Sequence, residues 1–500
     1  MEKHNPLFTT AFCAVIITLL FHRQLFGLNV LLAESLVLVL LYFYNRIDLR
    51  NINHVIFGSG LLLTSLGAVF TNSVFVIIMN LVALFIFTGV VLYPETKSII
   101  NAVRLSFFNL YAAQADFFKQ ISTSGSGSRN TRRIRKAGIF VLPLLIISFF
   151  IWIYRNSNPI FDRMALSISS FVGTKLYMMF GRLDTAVIFT FLLALLVANF
   201  LFLGVRSARI ISDDQQSTDN LVREKKRFPG RFKFTGLLNE FKAGIFLLIV
   251  LNAALLIMNA IDVYFVWFNF SWNGQYLKQF VHEGTYLLLL SILCSIAIVL
   301  YFFRGNLNFY SKNKVFRYLS YIWLLQNAVL TLSVAMRNFW YIKYFALAYR
   351  RIGLIIFLIL TIYGLYTVFV KVRKRKSSFY LFRTNILAVY VLLIISSLVN
   401  WDNVIARYNF AHTDKSFIDL EYNSTLSDKA LPYLDKTQAE LHVIQGQQQL
   451  NFHFEEQFME PAAYHGIIEK RKVDFINRWE SESWLSWNLP EYKAYQELKR

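Results

Sequence analysis

Charged residues are scarce in this 500-residue chain: they make up 16% of it, whereas 56% is hydrophobic and the mean hydropathy is +0.45. Soluble proteins carry about 25% charged residues, so the deficit argues against a soluble fold. The apolar residues occur in blocks of about twenty, which is the length of helix that spans a bilayer. The sequence therefore predicts an all-α, polytopic integral membrane protein.

Cysteine is also scarce, and both residues, Cys13 and Cys294, lie inside apolar segments. Buried thiols behave as small hydrophobes, and two cysteines so far apart form neither a disulfide framework nor a cysteine-based metal site. The chain also has no Walker A loop, no dinucleotide-binding glycine motif, no HExxH and no GxSxG, the patterns that mark common enzyme classes. We therefore predict no cofactor, no metal and no catalytic residue, and an enzyme is disfavoured.

The formal net charge of +21 at pH 7 invites a nucleic-acid partner, but the distribution of charge argues against one. Basic residues concentrate in short loops between apolar segments, where membrane topology alone places them. The last hundred residues hold 11 Lys or Arg and 16 Asp or Glu, so they have no basic excess. We predict membrane lipid, and no nucleic acid, as a partner.

The apolar segments predict a bundle of about eleven transmembrane helices over 1–400, followed by a small polar C-terminal region over 401–500. The segments lie near 7–22, 26–44, 54–71, 74–93, 137–154, 184–205, 243–264, 284–303, 317–337, 351–371 and 384–400. Between them, the apolar residues of 161–180 recur at helical spacing and serines fill other positions on the helical wheel. This pattern favours an amphipathic helix in the interface, with a twelfth crossing as the alternative.

Four basic loops set the predicted orientation. They are 94–136, 206–239, 304–316 and 371–383. Eleven crossings place all four on one side of the membrane, which should be the cytoplasm because basic loops stay inside. The N-terminus is then cytoplasmic and the C-terminal region lies outside.

Ionisable residues gather where the last five apolar segments reach the outer side. They are Asp262, His282, Glu283, Arg337, Arg350, Arg351, Asp402 and Arg407. Interfacial snorkelling and mutual salt bridges explain such a set without a ligand. Alternatively, the arginines line a pocket that binds an anionic group such as a lipid phosphate or a carboxylate. His282 beside Glu283 could then exchange protons near neutral pH.

Deeper in the bilayer, Glu34 lies near the middle of the second segment. A lone intramembrane carboxylate is costly, which makes Glu34 a candidate proton relay or ion ligand. The alternative is a Glu34 that is protonated or hydrogen-bonded to another helix. Asn252, Asn259, Gln326 and Asn327, inside two later segments, favour hydrogen bonding between helices.

Several stretches between 240 and 435 resemble, in order and spacing, a bacterial family of polytopic membrane proteins. They are Val281-His282-Glu283-Gly284-Thr285-Tyr286, Phe303 to Phe309, Trp323 to Asn327, Tyr349-Arg350-Arg351-Ile352-Gly353, Asn400 to Asn409 and Ile418 to Pro432. The family is domain of unknown function 4173, related to the 4153 group, in a Bacteroidota-like version. The resemblance implies a bacterial inner membrane and supplies no activity. The chain departs from the family at Ala346-Leu347-Ala348, where the family pattern is Gly-Leu-Thr.

Three functions stay open at this point. A transporter or lipid-handling protein would use the outer pocket and Glu34, joined by a continuous polar path. A membrane sensor or assembly partner would contact another protein through the C-terminal region, with an exposed apolar patch around Trp479, Trp484 and Trp487. A membrane-embedded enzyme, which we rank last, would need a cavity faced by the 282–283 pair with arginines nearby.

Overall fold

The computed structural model describes residues 6–124, 147, 150–151, 154–155, 157–180, 185–223, 237–270, 274–310, 312–452 and 459–499. Over these residues the chain is helical and has no strand, as the sequence predicts. The predicted segment 137–154 lies largely outside the described residues. Packing divides the chain into unit 1, Met1–Gln216 with Ser481–Leu489, and unit 2, Ser217–Glu480 with Pro490–Arg500. The predicted boundary at residue 400 concerns the membrane and stays a prediction.

The described part of unit 1 contains eight helices. They are α1 (Pro6–Phe21), α2 (Leu28–Phe43), α3 (Ile52–Phe70), α4 (Val74–Leu92), α5 (Ile99–Ser124), α6 (Pro159–Phe180), α7 (Thr185–Phe202) and α8 (Ala208–Gln216). Side-chain caps begin two of them, because the side chains of Asn51 and Ser73 accept backbone N–H groups in the first turns of α3 and α4. Such caps satisfy donors that a helix start leaves unpaired. In the packing, α1 contacts α7, and α4 lies between α3 and α5.

The segment 481–489 is held on the turn between α1 and α2. The Leu28 N–H donates to the Trp487 carbonyl at 3.0 Å, and the Leu25 N–H donates to Ser486 Oγ at 3.0 Å. A Cβ on Gly27 would lie 2.3 Å from the Ser486 carbonyl oxygen, so this close approach requires glycine. The end of the chain thus contributes directly to the packing of unit 1.

Unit 2 begins with five long helices. They are α9 (Leu237–Asp262), which continues as a π-helix over Val263–Phe268, α10 (Gly274–Phe302), α11 (Lys314–Phe345), α12 (Tyr349–Lys374) and α13 (Ser378–Ser397). α11 is central, since it contacts α9, α10 and α12. Amides join α9 to α11: Gln326 Nε2 donates to Asn252 Oδ1 at 2.8 Å, and Asn259 Nδ2 donates to the Gln326 carbonyl at 3.0 Å.

Six further described helices follow in the C-terminal region. They are α14 (Trp401–Ala411), α15 (Leu420–Ser424), α16 (Leu431–Leu434), α17 (Gln438–Asn451), α18 (Pro461–Ser481) and α19 (Leu489–Leu498), with 3₁₀ turns at Asp428–Ala430 and Trp484–Ser486. Residues 401–451, 461–480 and 490–498 share one apolar core, built around Leu431, Tyr464 and Phe475 and joined by Ile352 of α12. We call these residues the C-terminal lobe.

Seven described helices are long and apolar enough to cross a membrane: α3, α4, α9 with its π extension, and α10 to α13. Three further apolar helices, α1, α2 and α7, are shorter. The prediction of apolar, membrane-length helices is confirmed at this level, and the count of eleven stays a prediction. The amphipathic segment 161–180 forms helix α6, which is not one of the seven; its position in the interface also stays a prediction.

Candidate functional site

The predicted outer ends of the unit 2 helices lie together. Arg337 of α11 pairs with Asp262 of α9, and a Cβ on Gly284 of α10 would lie 3.2 Å from Arg337 Nη1. Asn338 Nδ2 then donates to the carbonyl of Arg351, in the first turn of α12, at 3.2 Å. Four helices therefore converge around one arginine-rich end.

Asp262 and Arg337 form a buried ion pair at this end. Arg337 Nη2 donates to Asp262 Oδ1 at 2.5 Å, and the two side chains are only 4% and 3% exposed. Removing one member of a buried pair leaves an uncompensated charge, which costs about 3–5 kcal/mol. The two side chains thus pair with each other, and neither is among the described lining residues of the neighbouring pocket.

A pocket of about 280 Å³ opens beside the first turns of α12. Its described lining comes from α10, α11 and α12 and comprises Thr285, Tyr286, Leu289, Asn338, Tyr341, Arg350, Arg351, Gly353, Leu354 and Phe357. These residues include two arginines and no acid, so the described lining is net positive with a largely apolar wall. The Thr285 hydroxyl is buried and has no hydrogen-bond partner among the described residues, which leaves it available to a ligand oxygen.

Arg351 forms part of the pocket wall and also holds the turn between α11 and α12. Its Nη1 donates to the Phe345 carbonyl at 2.6 Å and to the Ala346 carbonyl, and its Cζ lies 4.3 Å from the centroid of the Tyr341 ring. A cation at these carbonyls complements the C-terminal end of α11. Ala346 has φ 64° and ψ −169°, a conformation that favours glycine.

Arg350 differs from its neighbour. Its side chain is exposed at the pocket, and no described carboxylate pairs with it. Arg407, which sequence reasoning grouped with it, is exposed on α14 and is not among the described lining residues. Adjacent helical residues point about 100° apart, so Arg350 and Arg351 face different surroundings. Of the predicted arginines, these two line the pocket.

Asp402 lies next to the pocket but serves another contact. It accepts hydrogen bonds from the Tyr349 hydroxyl at 2.8 Å and from Ser427 Oγ at 2.7 Å. The Tyr349 N–H donates to the Tyr422 hydroxyl at 3.0 Å, and burial raises the pKa of Tyr422, so this phenol stays neutral. Asp402 therefore holds the start of α12 against the C-terminal lobe.

Two predicted residues, His282 and Glu283, belong to α10, but their side chains lie outside the described residues. Their backbone precedes Gly284 and therefore runs close to Arg337. Their predicted proton exchange stays a prediction. In the described part of the chain, no three His, Cys, Asp or Glu side chains are grouped so that they could hold a metal ion.

The π-helix at the end of α9 is a feature that sequence reasoning missed. It follows Asp262 directly, and its wider turn leaves the Val266 carbonyl to accept the Trp340 indole N–H at 2.9 Å. Trp267 Nε1 donates to Ser333 Oγ at 3.1 Å. π-helical turns are rare and frequent at functional sites. The segment is apolar and aromatic throughout, so its hydropathy does not distinguish a π-helix from a continued α-helix.

Glu34 belongs to unit 1 and lies in a neutral hydrogen-bond network. Its side chain is 6% exposed, and Asn80 Nδ2 donates to its Oε2 at 2.9 Å. The same amide group lies 3.2 Å from Thr64 Oγ1, whose hydroxyl donates to carbonyls within α3. Glu34 is thus hydrogen-bonded across helices, the alternative that the sequence left open. A role in proton or ion movement stays a prediction.

One family model matches the chain. It is described as a domain of unknown function, DUF4153, and covers residues 58–437, well over half of the length. No curated protein matches the chain, and no solved structure does. The relation to group 4173 and the Bacteroidota-like origin stay predictions.

Proposed function

This chain belongs to the DUF4153 family, and from that premise we propose that it binds the anionic headgroup of an amphiphile, as a lipid-handling protein or transporter of the bacterial inner membrane. The observation that carries the proposal is Arg350, an exposed arginine at the pocket without a described acidic partner. A guanidinium presents a planar fork of donors that matches phosphate and carboxylate oxygens. The apposed Thr285 hydroxyl supplies a further donor.

The pocket wall favours a ligand with a hydrocarbon chain over a small soluble anion. Leu289, Leu354 and Phe357 line it, and Tyr286 and Leu290 of the same stretch of α10 are exposed. Apolar side chains exposed along a membrane-length helix suit lipid contact. A headgroup at Arg350 would leave an acyl chain lying along this surface.

The proposed side of the membrane is extracytoplasmic. The opposite end of the unit 2 helices carries the basic loops, where Arg304 pairs with Glu240 at 3.6 Å and Arg317 donates to the Arg373 carbonyl at 2.9 Å. Basic ends stay in the cytoplasm, so the pocket opens outward. With about eleven crossings, the N-terminus is cytoplasmic and the C-terminal lobe is outside.

The proposal can be tested on the full chain in phosphatidylcholine nanodiscs. We expect added phosphatidylglycerol or oleate to bind selectively, and glycerol phosphate, which lacks the chain, to bind far more weakly. Arg350→Gln should lower phosphatidylglycerol affinity about tenfold or more, since a charge-assisted hydrogen bond contributes roughly 1.5–3 kcal/mol. Arg407→Gln is the matched control, because it removes another exposed arginine that is not among the described lining residues of the pocket. Equal losses in both variants, or none, would contradict the proposal.

A second candidate, a sensor or assembly partner, is favoured by one observation: the lobe contacts the α11–α12 turn that borders the pocket. Of the three tryptophans proposed as a partner surface, Trp484 is 67% exposed, whereas Trp479 is half-buried and its ring centroid lies 6.1 Å from that of Tyr495. We expect Trp484→Ser to release a co-purifying protein if such a partner exists, with the binding of phosphatidylglycerol unchanged. An unchanged set of co-purifying proteins would contradict this candidate.

A further inference from the structure

We propose that occupancy of the pocket is transmitted to the C-terminal lobe through the turn that joins α11 to α12, residues 345–349. This inference rests on the proposed function and adds regulation to it. Three observations carry it: the double role of Arg351, the backbone of Ala346, and a pair of hydrogen bonds that ties the turn to α14.

Arg351 connects the pocket to the turn. Arg351 is a lining residue of the pocket, and its guanidinium donates to the carbonyls of Phe345 and Ala346. An anion in the pocket competes with these neutral acceptors, because a phosphate or carboxylate adds attraction between opposite charges and accepts two parallel N–H groups of one guanidinium. Ligand binding therefore draws Arg351 away from the turn.

The turn over 345–349 can change its conformation when the contact between Arg351 and the two carbonyls weakens. Ala346 has φ 64° and ψ −169°, and a residue with a side chain keeps such a conformation only where its surroundings enforce it. The two carbonyls that Arg351 holds flank the Ala346 backbone on either side. Loss of the guanidinium contact lets this residue relax toward an ordinary conformation.

Movement of the turn reaches the lobe through Leu347. Its N–H donates to Asn409 Oδ1 at 2.7 Å, and its carbonyl accepts from Asn409 Nδ2 at 3.1 Å. Asn409 is buried in α14 and also donates to Asn423 Oδ1 at 3.1 Å. Because both polar groups of Leu347 are bound to one buried side chain, a shift of the turn either carries α14 with it or breaks both bonds.

Hydrogen exchange of the full chain in phosphatidylcholine nanodiscs, with and without phosphatidylglycerol, tests the coupling. We expect the lipid to raise amide exchange about fivefold or more, the lower end of ordinary coupling between sites, in residues 343–349 and 401–424. Exchange in α13 should not change. Ala346→Gly should bind the lipid but show a smaller rise in amide exchange. Glycine adopts the positive-φ conformation without strain, so the turn gains less by leaving that conformation when the lipid binds.

The outcomes separate the inference from the function on which it rests. Absence of selective lipid binding would overturn both, whereas binding without a change in 401–424 would overturn the coupling alone. Coupling is reciprocal, so Asn409→Ser should change lipid affinity although it lies outside the pocket. If that variant does not fold, Tyr422→Phe, which removes only the hydroxyl that accepts the Tyr349 N–H, tests the same link. Unchanged affinity in a folded variant would overturn the proposal.

Discussion

Unit 1 and unit 2 each bury a carboxylate inside an apolar helix, but they hold it in opposite ways. Asp262 of unit 2 pairs with Arg337 at 2.5 Å. Glu34 of unit 1 accepts an amide hydrogen bond from Asn80 at 2.9 Å, and no cation lies against it in the described part of that unit. An ion pair requires both charges, whereas an amide donor serves a carboxyl group in either protonation state.

An ionisable residue in an apolar segment can therefore have more than one role. Intramembrane charges are rare and mark either function or a closed pair, and only the partner decides between them. Asp262 lies against a cation, Glu34 lies against an amide, and Arg350 is exposed at the pocket without a described acidic partner. Each arrangement predicts a different response to the loss of its charge.

The largest loss of stability should follow from breaking the Asp262–Arg337 ion pair of unit 2. Asp262→Ala removes the carboxylate that Arg337 Nη2 contacts inside a buried ion pair, which should lower the free energy of unfolding by about 3–5 kcal/mol. The measurement is denaturant or thermal unfolding of the purified protein in detergent. The double variant Asp262→Leu, Arg337→Met is the control, because well-packed apolar pairs replace buried ion pairs at little cost. If Asp262→Ala is as stable as the parent protein, the proposed difference between the Asp262–Arg337 pair and Glu34 is wrong.

Arg350→Gln tests the loss of an exposed charge that has no described acidic partner. Because no buried contact is lost, we expect the free energy of unfolding to change by less than about 0.5 kcal/mol, while lipid affinity falls about tenfold. Both quantities can be measured on one nanodisc preparation. A loss of stability comparable to that of Asp262→Ala would show that Arg350 belongs with the closed pair.

Ala346→Gly tests whether the backbone of the α11–α12 turn is strained at Ala346. Relief of a backbone conformation that costs about 1–3 kcal/mol is offset by roughly 0.5–1 kcal/mol of added backbone freedom. We expect a net gain of about 1 kcal/mol in the free energy of unfolding. Ala348→Gly is the matched control, since Ala348 has φ −149° and ψ 160° and gains nothing from glycine. Equal effects at both positions would contradict the strain argument.

The sequence predicted the apolar, membrane-length helices because the length of an apolar block depends on the bilayer and not on particular neighbours. Partners were not predictable: Asp262 and Arg337 are 75 residues apart, and no periodicity links them. Nor could the sequence separate Arg350 from Arg351, since the difference between them comes from the bend of the chain at Ala346. The packing of residues 481–489 into unit 1 likewise depends on one close approach at Gly27.

A small effect on stability should come from Glu34→Gln. Glutamine keeps the shape of the side chain and a carbonyl oxygen for Asn80 Nδ2, so the hydrogen bond that holds α2 survives without a charge. We expect the free energy of unfolding to change by less than about 1 kcal/mol, whereas Glu34→Leu leaves a buried amide donor without its acceptor and should cost about 1–3 kcal/mol. A destabilisation of Glu34→Gln as large as that of Asp262→Ala would mean that the charge of Glu34 itself is held by a cation, and the contrast between the two units would disappear. A neutral result keeps Glu34 as the one buried carboxyl group in this contrast whose proton can change without cost to the fold, which is the property that a proton relay needs.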